Sequence, residues 1–136
     1  MGDETCDLFI SSSHKDRAWV SEFVATLRKE GLHPWSADEL APGDTWQDSI
    51  EKALRDSKTL IMVISPDILK SEWVFFELGA AIAGKKRIIP IITKDFDWSQ
   101  IPLMLRRYQF LNEPSPSIAG KRVAAVVGKH ENAEAS

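Results

Sequence analysis

Short apolar runs alternate with longer amphipathic ones along almost the whole chain. Asp7-Leu-Phe-Ile-Ser11 reads as a strand, and Ser12-Ser-His-Lys-Asp16 after it as a polar turn. From Arg17 to Glu30, Trp19, Phe23, Val24 and Leu27 recur at helical spacing, with Asp16 placed to cap the first turn and Gly31 to end the last. Leu32-His-Pro-Trp35 is a short strand and Ser36 to Asp44 a turn-rich polar loop. Trp46 to Arg55 forms a second helix, with Trp46, Ile50, Ala53 and Leu54 inward. Thr59 to Ser65 is the clearest strand, continuously apolar and β-branched, as a parallel strand covered on both faces requires. Ser65-Pro66 opens a helical turn, and a helix runs from Glu72 towards Lys85. Arg87 to Thr93 is a fourth strand, although Pro90 cannot donate to a ladder. Tyr108 to Leu111 is a fifth, Ser117 to Val127 a last helix, and Gly128 to Ser136 a frayed linker.

Strand–helix repetition of this kind predicts a parallel sheet with helices on both faces. Ligands of such sheets bind in the crevice at the carboxyl ends of the strands. Those ends are Ser11 to His14, Trp35 to Asp44, Ser65 to Asp67 and Thr93 to Trp98.

Composition narrows the field. A length of 136 residues fits one domain with one core, and 43% apolar with 27% charged residues is ordinary globular usage. Seventeen Lys and Arg against twenty Asp and Glu give a net charge of −3, which argues against direct nucleic-acid binding. The single cysteine, Cys6, can form no internal disulfide and no zinc site, so no metal is expected. No apolar run approaches the roughly 18 residues of a membrane span. The acidic start Met-Gly-Asp-Glu-Thr-Cys is not a secretory signal. A cytoplasmic protein without a membrane partner is the expectation. Five tryptophans, at 19, 35, 46, 73 and 98, stand out.

Several chemistries are excluded by motif. No G-x-G-x-x-G follows the first strand and no P-loop occurs, so dinucleotide-fold and P-loop readings fail. A phospho-receiver would need acidic residues after the first and third strands, where Ser11-Ser12-Ser13 and Ser65 stand instead. No serine sits in a nucleophile elbow. His14, His33 and His130 lack metal-ligand spacing. The informative carboxylate is Glu77, the only ionisable group between Trp73 and Ala83. A helix that is apolar almost all round is buried, so Glu77 faces either a cleft or a narrow exposed stripe, and the pattern alone supports both. Trp73 lies one helical turn before it.

These residues resemble a TIR (Toll/interleukin receptor/resistance) domain, especially its bacterial NAD-cleaving branch. The resemblance rests on Asp7-Leu-Phe-Ile-Ser11, Gly31-Leu-His-Pro-Trp35, Leu40-Ala-Pro-Gly-Asp44, Ser65-Pro66-Asp67, Ser71-Glu-Trp-Val-Phe-Phe-Glu77 and Ile88-Ile-Pro-Ile-Ile92. It implies a flavodoxin-like three-layer α/β sandwich with a five-stranded parallel sheet in the order 2-1-3-4-5. The domain would span residues 5–128, leaving 129–136 as a disordered linker or tail. It further implies NAD+ glycohydrolase activity with NAD+ as substrate and no cofactor. Products would be nicotinamide and ADP-ribose, or a cyclic isomer if an adenine nitrogen attacks in place of water. Glu77 takes the catalytic position by this resemblance. Trp73, Trp35, Ser11, Ser12, Ser13 and His14 take substrate-binding positions, and Leu40, Pro42, Gly43 and Asp44 lie in the "BB loop" used for assembly. Activation by self-association, a fused or paired sensor domain and a role in bacterial immune defence are implied likewise. Two other readings stay open: a non-catalytic scaffold signalling through TIR–TIR contacts, and a nucleoside ribosyltransferase-like enzyme using the same glutamate.

Overall fold

The computed structural model describes residues 8–36, 52–64, 84–94, 98–101 and 103–135. Its elements are β1 (Leu8–Ser11), α1 (Arg17–Lys29), β2 (Pro34–Trp35), β3 (Thr59–Ile64), β4 (Arg87–Ile92), α2 (Leu103–Arg106), β5 (Leu111–Asn112) and α3 (Pro116–Ala135). Residues 52–56 are also helical. All strand pairs are parallel and the sheet order is β2-β1-β3-β4-β5, as expected.

Alternation along the strands splits the core in two. Leu8, Ile10, Ile61, Val63 and Ile91 face one way and meet Val20, Phe23, Val24 and Leu27 of α1 and Ala119, Val123 and Val127 of α3. Phe9, Leu60, Met62, Ile64, Ile88 and Ile92 face the other way, against Ala53, Leu54, Ile101 and Leu105. Every residue of β3 is buried, which explains its unbroken apolar sequence.

Several boundaries have local causes. Helix α1 ends in a complete Schellman motif. Leu32 N–H donates to Leu27 O at 3.0 Å, Gly31 N–H donates to Arg28 O at 3.0 Å, and Gly31 takes a φ of +87°. At its start, Asp16 occupies the cap position but its side chain makes no capping bond. A 3₁₀ turn over His14–Asp16 runs straight into α1, and Asp16 already has near-helical angles (φ −95°, ψ 11°), so its carboxylate is not aimed back along the axis.

Pro90 sits in a strand with neighbours on both sides without breaking a ladder. Arg87 N–H donates to Lys58 O on the β3 side, whereas Ile92 O accepts Glu113 N–H on the β5 side. Even-numbered residues therefore turn their amides towards β5, and β5 pairs only with Ile91 and Ile92. The N–H that proline lacks has no partner to lose.

Other boundaries move. The fifth strand is Leu111–Asn112 rather than 108–111, because Tyr108 N–H donates to Leu105 O and closes α2, an element the apolar pattern does not reveal. Helix α3 continues eight residues past Val127, since Lys129, Glu131, Ala133, Glu134 and Ala135 are good helix formers and only Gly128 reads as a stop.

Candidate functional site

In a 2-1-3-4-5 sheet the chain reverses its direction of winding beside β1. The crevice is therefore expected outside the carboxyl ends of β1 and β3. Three of the buried polar residues lie at the carboxyl ends of strands. Ser11 closes β1, Ser36 follows β2 and Thr93 follows β4, and all three are buried (4%, 6% and 8% exposed). At the carboxyl end of a parallel sheet, hydroxyls are donors and acceptors beside the crevice.

Register brings the aromatic residues to the same place. Phe9 pairs with Trp35 across β1–β2, and the two rings stack with centroids 5.0 Å apart and planes 18° apart. Phe9 is fully buried and takes one face of the indole, which is itself half-buried against the cluster of Leu60, Met62 and Ile64. Phe9 and Ser11 alternate onto one side of the sheet, so the Trp35 platform and the Ser11 hydroxyl share that side.

The loop after β1 is built by its own hydroxyls. Ser13 Oγ accepts Lys15 N–H at 3.2 Å and Ser13 O accepts Asp16 N–H at 2.9 Å, which winds the chain into the 3₁₀ turn carrying His14. Ser12 and Ser13 are half-buried. Asp16 Oδ2 is buried with no hydrogen-bond partner among the described residues, a feature that reading Asp16 as a cap misses. Trp19, in the first turn of α1, stacks on Phe23 four residues later with centroids 5.1 Å apart and donates its indole N–H to Pro114 O at 2.9 Å. That bond fastens the start of α1 to the turn before α3.

Of the site residues expected from sequence, Ser11, Ser12, Ser13, the backbone of His14 and Trp35 are thus brought to the ends of β1 and β2. Trp73 and Glu77 lie outside the described residues, as do Leu40, Pro42, Gly43 and Asp44. Among the described residues, no cluster of three His, Cys, Asp or Glu could hold a metal ion, and no helix is long and apolar enough to cross a membrane.

The opposite end of the sheet holds different chemistry. Lys86 Nζ donates to Arg55 O at 3.1 Å and to Ser57 O, tying the end of the 52–56 helix to the start of β3. Desolvation holds its pKa below the usual lysine value, with Asp56 acting weakly against that shift. Sequence patterning gave no signal for this tie, because its partners are carbonyls.

A sequence profile of the TIR domain matches residues 8–122. The chain belongs to the TIR domain family. It is similar to the NAD(+) hydrolase PdTIR of Paracoccus denitrificans, 36% identical over 113 residues covering 76% of this chain and 38% of that protein. It is also similar to the 2' cyclic ADP-D-ribose synthase AbTIR of Acinetobacter baumannii, 36% identical over 98 residues, or 65% of this chain and 36% of that protein. This TIR domain chain therefore spans little more than a third of either relative's length. Among solved structures, the TIR domain of the Toll-related receptor TRR-2 from Hydra magnipapillata superposes with a TM-score of 0.68 at 25% identity, covering 96% of this chain and 98% of that one.

Proposed function

We propose that this TIR domain cleaves NAD+ at the bond between nicotinamide and ribose. The observation that carries the proposal is the Trp35 platform on Phe9, set beside the buried hydroxyls of Ser11 and Ser36 at the switch point of the sheet. Similarity to an NAD(+) hydrolase and a cyclic ADP-ribose synthase supports the same substrate.

The chemistry asks little of the protein. Nicotinamide in NAD+ is a pyridinium, so when the bond from its nitrogen to ribosyl C1′ breaks, the electron pair goes to the ring and the leaving group departs neutral. No general acid is needed. What remains is a ribosyl cation, which a carboxylate stabilises while holding the ribose hydroxyls, as in glycoside hydrolysis. Glu77 takes that role in this reading, and Trp73 is assigned to substrate binding with it. Trp35 receives the cationic ring on the face Phe9 leaves, and Ser11, Ser12, Ser13 and His14 border the nucleotide. Water attacking C1′ and losing a proton gives ADP-ribose; a nucleophilic atom of the same ADP-ribose gives a cyclic isomer.

Self-association through the loop holding Leu40, Pro42, Gly43 and Asp44 belongs to the same proposal. So do a sensor domain fused to this one or paired with it, a cytoplasmic setting and a role in immune defence. The test is NAD+ turnover measured against protein concentration for the wild-type chain and Glu77→Ala. The reading expects nicotinamide release that rises more steeply than protein concentration and is lost in the variant. Equal rates for the two proteins would sink it.

A further inference from the structure

β5 pairs with β4 only at Ile91 and Ile92, although β4 begins at Arg87. The first half of β4 therefore has no strand beside it on that side. The alternation that spares Pro90 also turns both the N–H and the C=O of Ile88 towards the missing neighbour. Among the described residues no backbone bond joins Ile88 to 109 or 110.

The space next to Ile88 is a notch of about 570 Å³ between the sheet edge and α3, within the range of small-ligand pockets. Ile89, Leu111 and Val126 give it apolar walls, and Arg87, Gln109 and Arg122 give it polar groups. The Arg122 side chain is 54% exposed and meets Glu113 Oε1 through Nη1 at 3.3 Å. That contact uses one of five guanidinium N–H donors, so the group is oriented and retains donors for an anion.

Each simpler occupant leaves something unmet. A bare anion makes no use of the apolar walls. An acyl chain would cover the N–H and C=O of Ile88 without bonding them, leaving two buried polar groups unsatisfied. A nucleotide satisfies all three: a flat base against Ile89, Leu111 and Val126, the base edge on the donor–acceptor pair of Ile88 with Gln109 nearby, and a phosphate on the guanidinium. We infer that the β4–β5–α3 notch is a binding site for a nucleoside monophosphate, separate from the carboxyl-end crevice. This inference does not depend on NAD+ cleavage, since AMP has no nicotinamide bond to break.

AMP, adenosine, ribose 5-phosphate and inorganic phosphate are titrated into the full chain while backbone amides are followed by two-dimensional NMR. The notch predicts saturating shifts at residues 87–89 and 109–111 with AMP, binding about tenfold weaker for adenosine and for ribose 5-phosphate, and none for phosphate at the same concentrations. Arg122→Gln lowers AMP affinity to that of adenosine. Val126→Trp, at a helix position 46% exposed and so tolerant of bulk, fills the notch and abolishes the shifts. The inference is overturned by shifts confined to Ser11–His14 and Trp35, or by phosphate binding as tightly as AMP. Affinity unchanged in both variants, or no shift at about 5 mM AMP, overturns it equally.

Discussion

Removing Trp35 separates binding from chemistry in a way that the charge on the substrate dictates. The indole stacks on Phe9 at 5.0 Å and is half-buried, so Trp35→Ala loses an aromatic pair worth about 0.5–1.5 kcal/mol beyond its buried area. With the cavity left over Phe9, a stability loss of about 2–3 kcal/mol is expected, below the range for a fully buried tryptophan. The functional loss is a second quantity. A cation over the remaining face is worth about 0.5–2 kcal/mol, and at about 1.4 kcal/mol per tenfold this is roughly a 2- to 30-fold effect on binding. The positive charge leaves the nicotinamide ring as the glycosidic bond breaks, so the contact weakens towards the transition state. Trp35→Ala should therefore raise KM and leave kcat unchanged or slightly higher, while Trp35→Phe keeps most of the binding. The assay is initial-rate nicotinamide release against NAD+ concentration at fixed protein, with urea unfolding run in parallel. A variant that loses stability yet keeps its KM within about twofold would show that Trp35 only packs, and a fall in kcat at constant KM would refute the charge argument.

Three further outcomes concern the scaffold. Gly31→Ala should cost about 1 kcal/mol in urea unfolding purely through its backbone, because φ is +87° and no atom lies within 4 Å of the added carbon. Gly120→Ala should cost about 1–3 kcal/mol despite alanine's better helix propensity, since its Cβ would meet Thr26 Cγ2 at 2.7 Å and Thr26 Cβ at 2.8 Å, forcing α1 and α3 apart. Lys86 has a pKa lowered by folding, so the unfolded chain binds its proton more tightly. Unfolding free energy of the wild type should rise, relative to Lys86→Met, as pH climbs through the folded value towards 10.5; a flat difference would contradict the desolvation.

Elements whose apolar residues repeat with one clear period were legible in the sequence. β3 and α1 match their expected limits to within a residue or two, because Thr59–Ile64 is buried throughout and Val20, Phe23, Val24 and Leu27 form one stripe. The short elements were not, because hydrogen bonds rather than pattern define them. The 3₁₀ turn at His14–Asp16 depends on Ser13 accepting from Lys15 and Asp16, and α2 displaces the start of β5 by its closing bond at Tyr108. At the candidate site, the ends of β1 and β2 were readable in the pattern and the strand order followed from the family resemblance, so Ser11 and Trp35 could be placed together. The stacking of Trp35 on Phe9 was not, since it depends on the parallel register that pairs residue 9 with residue 35. The unpartnered oxygen of Asp16 escaped for a related reason: a capping residue and a buried orphan look alike until the angles of the preceding turn are known.

The two ends of the sheet have separate duties, and the separation follows from parallel topology. Every strand points its carboxyl end the same way, so the hydroxyls of Ser11, Ser36 and Thr93 and the Trp35 platform collect at one pole. The Lys86 tie and the Schellman stop at Gly31 collect at the other, where each chain segment returns to start a new strand. Substitutions at the amino-end pole should then change unfolding free energy with little effect on KM, whereas those at the carboxyl end should change KM by more than their stability cost explains. Lys86→Met and Trp35→Ala, measured for both quantities, test that division directly. If Lys86→Met altered KM as much as Trp35→Ala, the poles would be energetically coupled through β3 and the carboxyl-end crevice could not be treated as a site on a rigid support.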